Sequence, residues 1–445
     1  MSRKKIQLSD HFTAGRMIRF SLPSIGTMIF TSIYGVVDGF FVSNYAGALP
    51  FASLNLAMPF IMILSSVGFM FGSGGTALVS MLLGMNREKK ALEIFSLITY
   101  LVFGIGAALG IIGFIIAPQM SGLLGATPEM MPYAVLYIRI NMVSLPFFML
   151  QNMFQSFFIT AEKPKLGLAV TIMAGCTNMF LDWLFVGVLG FGLSGAAAAT
   201  AITETSDGLI SLIYFFMPNS STLHLVRTHM DGKAILKACT NGSSELLSNS
   251  ATSIVSMLFN FQLMKYFGSN GVAAYGVIMY VNFIFVGIYF GYTMAITPVI
   301  GYHYGADNQK ELKNLFETSI KLFFIVSLLL TGISELAAPV LVRIFVSYNA
   351  KLYALSLHAF RIFSISYIFM GFNIFGSGFF TALNNGKISA ILSFARSLLL
   401  QLISIYVLPA VFGPDGLWCA VVVSNVLCLI LTIYMWVKYR KVYHY

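Results

Sequence analysis

Long apolar stretches separated by short polar segments constrain the fold of this chain more than any other feature. Of its 445 residues, 58% are hydrophobic and only 9% are charged, and the mean hydropathy is +0.84, which is too apolar for a soluble protein. A bilayer requires about 20 apolar residues per helical span, and lipid offers the backbone no hydrogen-bond partners. The sequence therefore predicts an all-α polytopic membrane protein.

Twelve of these stretches are long enough to cross a membrane. We predict the first six spans at residues 17–43, 50–83, 92–118, 131–160, 166–189 and 192–217. After a polar gap, we predict six more at residues 237–264, 271–301, 313–336, 356–382, 388–410 and 415–437.

The basic residues lie on one side of this predicted topology. Nineteen of the 26 lysines and arginines fall in the termini or in loops of one parity, whereas residues 44–50 and 188–192 carry no charge. By the positive-inside rule, both termini are therefore cytoplasmic in a multi-pass protein of the cell membrane. The net charge of +10 belongs to these loops and does not indicate nucleic-acid binding. The basic start RKK leads into a long first span without a cleavage-site pattern, so we expect no removable signal peptide.

The chain repeats itself with an offset of about half its length. At an offset of 221, Gly84, Lys89 and Pro118 meet Gly305, Lys310 and Pro339, and at 222, Arg139 and Lys165 meet Arg361 and Lys387. Because each half holds an even number of spans, the halves share one orientation and a pseudo-two-fold axis along the membrane normal. We predict two six-helix bundles, an amino-terminal lobe (1–217) and a carboxyl-terminal lobe (237–445), joined by a cytoplasmic linker (218–236).

Two polar residues stand out within span 5, in the stretch TIMAGCTNMFLDWLFVG. Asn178 and Asp182 are four residues apart, so they share one face of a helix. A carboxylate at membrane depth is costly unless it faces a cavity or a partner, and it is therefore a functional candidate. Span 1 adds Asp38, and Thr200 lies about two turns inside span 6. These oxygens suit a hard cation such as Na⁺, and the carboxyls can instead bind protons.

Further polar and aromatic side chains are candidates for a central cavity between the lobes. In span 6 these are Glu204 and Asp207, whose roles stay open, as does that of Glu335 in span 9. Span 7 contributes Glu245, and span 8 contributes Tyr292 among several tyrosines. For Arg139 and Arg361 we favour a structural or interfacial role. The four cysteines have no paired metal spacing and are expected to be packing thiols, and we expect no metal apart from Na⁺ and no cofactor.

The chain resembles the multidrug and toxic compound extrusion (MATE) family over nearly its whole length. The resemblance rests on the six-plus-six repeat, on the turns GMNREKK, GADNQKE, TAEKPK and TALNNGK, on the N-x-x-x-D of span 5 and on GLSGAAAAT of span 6. It is most similar to the MepA-like bacterial branch. In family members, a cation site in the amino-terminal lobe uses an Asp of span 1, an Asn and an Asp of span 5 and a Thr of span 6. Asp38, Asn178, Asp182 and Thr200 match these positions.

The resemblance implies an antiporter that exports cationic, amphipathic drugs or dyes in exchange for Na⁺ or H⁺ by alternating access. Glu245 resembles the span 7 acid of other branches and is a candidate for binding substrate or a proton. Span 10 carries no acid between Arg361 and Lys387, which argues against a second ion site. We expect a monomer in membrane lipid. The main alternative is a flippase of lipid-linked saccharides. An enzyme is not expected, because the six histidines lie in or near loops and no P-loop is present.

Overall fold

A computed structural model describes residues 6–346 and 349–445, and this part of the chain is almost entirely helical, without a β-strand. The basic residues Arg3, Lys4 and Lys5 of the predicted topology lie outside the described residues. The helices of the first half are α1 (Ala14–Phe41), α2 (Ala48–Gly84), α3 (Glu88–Leu123), α4 (Met131–Thr160), α5 (Pro164–Asp182) and α6 (Gly192–Phe216). Those of the second half are α7 (Gly232–Gly305), α8 (Gln309–Val346), α9 (Ala350–Ser364), α10 (Tyr367–Ala382), α11 (Gly386–Phe394), α12 (Leu400–Phe412) and α13 (Asp415–Tyr443).

These helices account for the twelve predicted spans, although helices and spans do not correspond one to one. α7 contains 74 residues and has a non-helical backbone at Gly268, so it comprises spans 7 and 8. Span 10 is broken into α9 and α10, which are bent by 47° relative to each other. Span 11 contains a π-helical turn, Ala395–Leu399, between α11 and α12. Similar π-helical turns, Val42–Ala46 and Trp183–Val188, extend spans 1 and 5.

Four tight turns show the sequence repeat in the backbone conformation. Asn86 and Asp307 occupy equivalent positions of the repeat, and they follow spans 2 and 8 with φ of 58° and 52°. Glu162 and Asn384 are equivalent in the same way, and they follow spans 4 and 10 with φ of 57° each. The left-handed region is uncommon outside glycine, and Asn and Asp adopt it more readily than most residues. The same chain reversal therefore occurs at equivalent places in both halves. We call the face that carries these turns, the beginning of α1 and the end of α13 the terminal side.

On the terminal side the two halves contact each other reciprocally through glycines. A Cβ atom on Gly84 of α2 would lie 2.0 Å from the carbonyl oxygen of Tyr302 of α7. A Cβ atom on Gly305 of α7 would lie 2.0 Å from the carbonyl oxygen of Met81 of α2. The two glycines are equivalent residues of the repeat, as are Met81 and Tyr302, so the pseudo-two-fold axis relates the two contacts. Small residues permit such close helix packing in membranes.

The segment before α1 also joins the halves on the terminal side. Glu311 at the start of α8 accepts hydrogen bonds from the His11 ring (Nδ1 to Oε2, 2.6 Å) and from the Phe12 backbone N–H (2.9 Å). The Asn314 side chain donates to the Phe12 carbonyl oxygen at 2.9 Å. The Phe12 side chain is fully buried in the hydrophobic core of the second half. Residues 11 and 12 thus hold the beginning of span 1 against the second half.

Candidate functional site

The structure brings the predicted acids of spans 1 and 5 together inside the first half. Asp38 is 7% exposed, Asn178 is 2% exposed and Asp182 is fully buried. The carboxyl groups of Asp38 and Asp182 lie within hydrogen-bonding reach of each other. Each acid is next to a π-helical turn: Asp182 immediately precedes Trp183–Val188, and the Asp38 carbonyl accepts from Val42 N–H, where the turn of span 1 begins. Such π-helical turns are frequent at functional sites because they reorient neighbouring side chains.

Several oxygens of this site lack a hydrogen-bond donor. Within the described residues, Oδ1 of Asp38, Oδ1 of Asn178 and both carboxyl oxygens of Asp182 are buried without one. Buried polar atoms are nearly always hydrogen-bonded, because leaving one unpaired costs about 1–3 kcal/mol. The proximity of two carboxyls does not remove this deficit, since ionised carboxylates only accept hydrogen bonds. A proton or a cation can satisfy such a group of acceptors.

The third predicted element of the site, span 6, supplies a row of polar side chains along α6. Thr200 is partly buried, and Glu204 and Asp207 follow it at helical spacing with exposed fractions of 7% and 3%. The Ser144 hydroxyl donates to Oε2 of Glu204 at 2.6 Å. The Ser211 hydroxyl donates to Oδ1 of Asp207 at 3.4 Å, and the Gln151 side chain also lies within hydrogen-bonding reach of the Asp207 carboxyl group.

These acids form one electrostatic environment rather than isolated sites. The phenol of Tyr34 in α1 is within electrostatic range of Asp38, Glu204 and Asp207, and that of Tyr137 in α4 is within range of Asp38 and Glu204. Over residues 6–346 and 349–445, no lysine, arginine or histidine side chain lies within 4.0 Å of any of these carboxylates. The interior of the first half is therefore acidic and lacks basic counter-charges.

The second half has a different electrostatic pattern. Glu245 is partly buried in α7 and lies within electrostatic range of Arg396 in span 11. Arg396 was not predicted as a site residue, because one basic residue barely alters the hydropathy of a long apolar stretch. The sequence nevertheless contained a signal for it, since a charged residue inside a span indicates a functional site whether it is basic or acidic. Tyr292, a predicted cavity residue, is 7% exposed and shares a hydrogen bond of 3.0 Å with Ser319.

Three further charged residues of the spans, Arg361, Glu335 and Arg139, have local partners. Arg361 Nε lies 3.9 Å from Oε2 of Glu335, and the Ser364 hydroxyl also donates to Glu335. Arg139 donates to the Phe114 carbonyl at 3.4 Å and stacks over the Phe114 ring at 5.2 Å. Within the described residues, no group of three or more His, Cys, Asp or Glu side chains has metal-binding geometry. The four cysteines are free thiols.

Similarity to known sequences extends over most of the chain. The sequence model of the MatE family matches twice, over residues 23–184 and 246–407. The multidrug export protein MepA of Staphylococcus haemolyticus is 23% identical over 424 residues, which cover 94% of this chain and 92% of that protein. MepA of Staphylococcus aureus (strain NCTC 8325) is 23% identical over 423 residues, which cover 93% of this chain and 91% of that protein.

Comparison with solved structures shows the same fold. A crystal structure of MATE in complex with MaL6 has a TM-score of 0.92 at 21% identity and covers 99% of this chain and 98% of that one. A multidrug resistance MATE family transporter in an outward-facing conformation has a TM-score of 0.91 at 22% identity, with the same coverage. A MOP superfamily transporter from Pyrococcus furiosus has a TM-score of 0.89 at 22% identity. Twelve membrane spans in two six-helix bundles are the architecture of this fold.

Proposed function

This chain belongs to the MatE family, as its resemblance predicted, and we propose that it is an antiporter that exports cationic, amphipathic compounds in exchange for Na⁺ or H⁺. The relatives named above are multidrug export proteins, and the chain is a multi-pass membrane transporter rather than an enzyme. One observation carries the proposal of ion coupling. It is the set of buried acceptor oxygens on Asp38, Asn178 and Asp182 for which the protein supplies no donor.

We assign the coupling ion to this oxygen set, with Thr200 as the hydroxyl ligand. Na⁺ prefers oxygen ligands, and the two carboxylates, one amide carbonyl and one hydroxyl supply them. A proton shared between the Asp38 and Asp182 carboxyls would satisfy the same acceptors. In either case the ion neutralises negative charge inside the first half, which weakens the electrostatic attraction for a cationic drug and rearranges span 1.

The two lobes, residues 1–217 and 237–445, alternate access to the cleft between them while the linker 218–236 keeps them together. We propose that both termini lie in the cytoplasm, so that the glycine contacts of Gly84 and Gly305 close the cytoplasmic side of the cleft. An ion shifts this equilibrium only if its affinity differs between the two states. The site must therefore bind the ion more tightly when it faces outward. The protein acts as a monomer in lipid, and no observation favours a lipid-linked saccharide flippase.

The test is ethidium efflux from vesicles on which a Na⁺ gradient and a pH gradient are imposed separately. We expect one of the two gradients to drive export in the wild type and Asp38→Asn to abolish it while the protein still inserts. Asp307→Asn is the matched control, since it makes the same change at an exposed turn residue. Wild-type export by Asp38→Asn, or wild-type efflux that neither gradient affects, would refute the coupling role.

A further inference from the structure

Arg396 is a basic residue close to the middle of the membrane. It lies ten residues beyond Gly386, where α11 begins, and therefore about 15 Å along the span. The hydrocarbon core of a bilayer is about 30 Å thick. A guanidinium at this depth is costly, and charged side chains inside spans usually face a cavity and serve a function.

The protein leaves this guanidinium incompletely paired. Its Nη2 donates to the Ser248 hydroxyl at 3.2 Å, and its central carbon lies 5.6 Å from the centroid of the Phe290 ring. Its Nε is buried without an acceptor. A guanidinium carries five N–H donors and its best partners are carboxylates and phosphates, which it binds in a bidentate manner. Over the described residues, no carboxylate lies within 4.0 Å of it.

Two acidic groups lie within electrostatic range of Arg396, first the Cys428 thiol and then the carboxylate of Glu245. Glu245 is three residues before Ser248 on the same helix, so the two side chains are about one helical turn apart. Each of Glu245 and Arg396 influences the charge of the other, although they do not form an ion pair. Both side chains are only partly buried. A positive and a negative group therefore lie within electrostatic range of each other without direct contact.

This pair lies next to the contact between the two halves. A Cβ atom on Gly242 of α7 would lie 1.8 Å from the Met70 carbonyl oxygen of α2, so Gly242 faces the first half. Glu245 is the next residue on that helical face, and Asn249, one turn further, is exposed. Phe290 precedes Gly291, which contacts the backbone of Ile25 in α1. The acid and the base therefore belong to the wall of the cleft on the side of the second half.

We propose that Arg396 and Glu245 form a subsite for organic zwitterions, in which Arg396 binds an acidic group of the compound and Glu245 binds its amine. This inference rests on the proposed export function and narrows its substrate class. A guanidinium in the wall of the cleft weakens the binding of a compound that carries only positive charge, because like charges repel. A zwitterion satisfies both groups and supplies the acceptor that Nε lacks.

Two dyes that differ in one methyl ester test this subsite. Rhodamine 110 carries a free carboxylate, and rhodamine 123 is its methyl ester, so only the first is a zwitterion. We would measure the dissociation constants of both dyes by fluorescence polarisation, with the full-length protein in nanodiscs. We expect Arg396→Gln to weaken rhodamine 110 binding at least tenfold and to change rhodamine 123 binding less than threefold. Arg396→Lys should restore part of the loss, since it keeps the charge without the bidentate geometry.

Arg139→Gln is the matched control, because Arg139 also stacks on a phenylalanine but lies outside this wall. It should leave both constants unchanged. Equal weakening of both dyes by Arg396→Gln would indicate a purely structural role and would overturn the inference, as would no change in either. The inference also fails if the wild type binds rhodamine 123 and not rhodamine 110. If the same protein still exports ethidium, the export function stands and only the zwitterion subsite is refuted. A wild type that exports no dye at all refutes the export function itself.

Discussion

The reciprocal glycine contact makes a quantitative prediction about the equilibrium between the two states. Gly84→Ala places a methyl group 2.0 Å from the Tyr302 carbonyl oxygen, and ordinary contact begins at 3.4 Å. The backbones must therefore move apart until the methyl group and the oxygen reach an ordinary contact distance. Gly305→Ala requires the same displacement from Met81. Since backbone atoms are involved, no side-chain rotation can relieve the clash.

The energetic effect follows from the cost of overpacking. Inserting a methyl group into a packed contact costs about 1–3 kcal/mol. This penalty applies only while the terminal side is closed, because separation of the halves removes the contact. The ratio of separated to closed molecules should consequently rise about 5- to 150-fold. A single displacement of α2 from α7 relieves both clashes. The penalty on the closed state should therefore be smaller in the double variant than the sum of the penalties in the two single variants.

The distance between the halves on the terminal side is the direct readout. Lys89 and Lys310 are exposed equivalents in the two turns, and spin labels at both positions report this distance by double electron–electron resonance after removal of the four native cysteines. We expect Gly84→Ala in nanodiscs to shift the distribution towards longer distances. Gly104→Ala is the matched control, because a Cβ at Gly104 of α3 meets nothing within 4 Å.

Identical distance distributions for Gly84→Ala and the Gly104→Ala control would refute this reasoning. Such a result would mean either that the helices accommodate the methyl group at no energetic cost or that the substitution does not destabilise the closed terminal side. A shift of equal size in both variants would also contradict it, since it would arise from helix propensity rather than from the contact.

Three further substitutions have defined outcomes. Asn384→Gly keeps the left-handed turn but removes the donor that binds the Ala77 carbonyl at 3.0 Å, so it should also favour separated halves, by about 1 kcal/mol, in the same distance measurement. Glu311→Ala removes the acceptor of the His11 and Phe12 bonds and should cost about 1.5–3 kcal/mol, seen as faster proteolysis of the amino-terminal segment. Tyr289→Phe removes a buried 2.9 Å hydrogen bond to the carbonyl oxygen of Tyr367 and should lower the stability, measured by thermal unfolding, by about 1 kcal/mol. Tyr406→Phe, at an exposed tyrosine, is the control and should leave the stability unchanged.

The sequence predicted the spans and the repeat because both depend on local or periodic information. Span 4 was predicted at 131–160 and is observed as Met131–Thr160. The turns at Asn86 and Asp307 lie in the motifs GMNREKK and GADNQKE, and the structure gives both the same left-handed conformation. The break between Ser364 and Tyr367 was not predicted, since no proline or glycine lies there to mark it.

For the candidate site, helical spacing predicted only part of the arrangement. The separation of Asn178 and Asp182 placed both on one face of span 5, because this follows from 3.6 residues per turn. That Asp38 lies beside Asp182 depends on how spans 1 and 5 pack, and only the family resemblance suggested it. The position of Arg396 beside Glu245 was not predicted at all, since it requires the packing of span 11 against span 7.

The two halves share a backbone plan but differ in the charges they carry, and this difference bears on how ion and substrate are coupled. At an offset of 222, Leu400 and Ser404 replace Asn178 and Asp182, so the oxygen set of the first half has no counterpart in the second. A cation bound at Asp38 and Asp182 would therefore change the net charge of the first half, whereas the second half carries a base, Arg396, as well as an acid, Glu245. We infer that the ion acts on the cationic part of a substrate through the first half, and that the second half discriminates between compounds by their acidic groups.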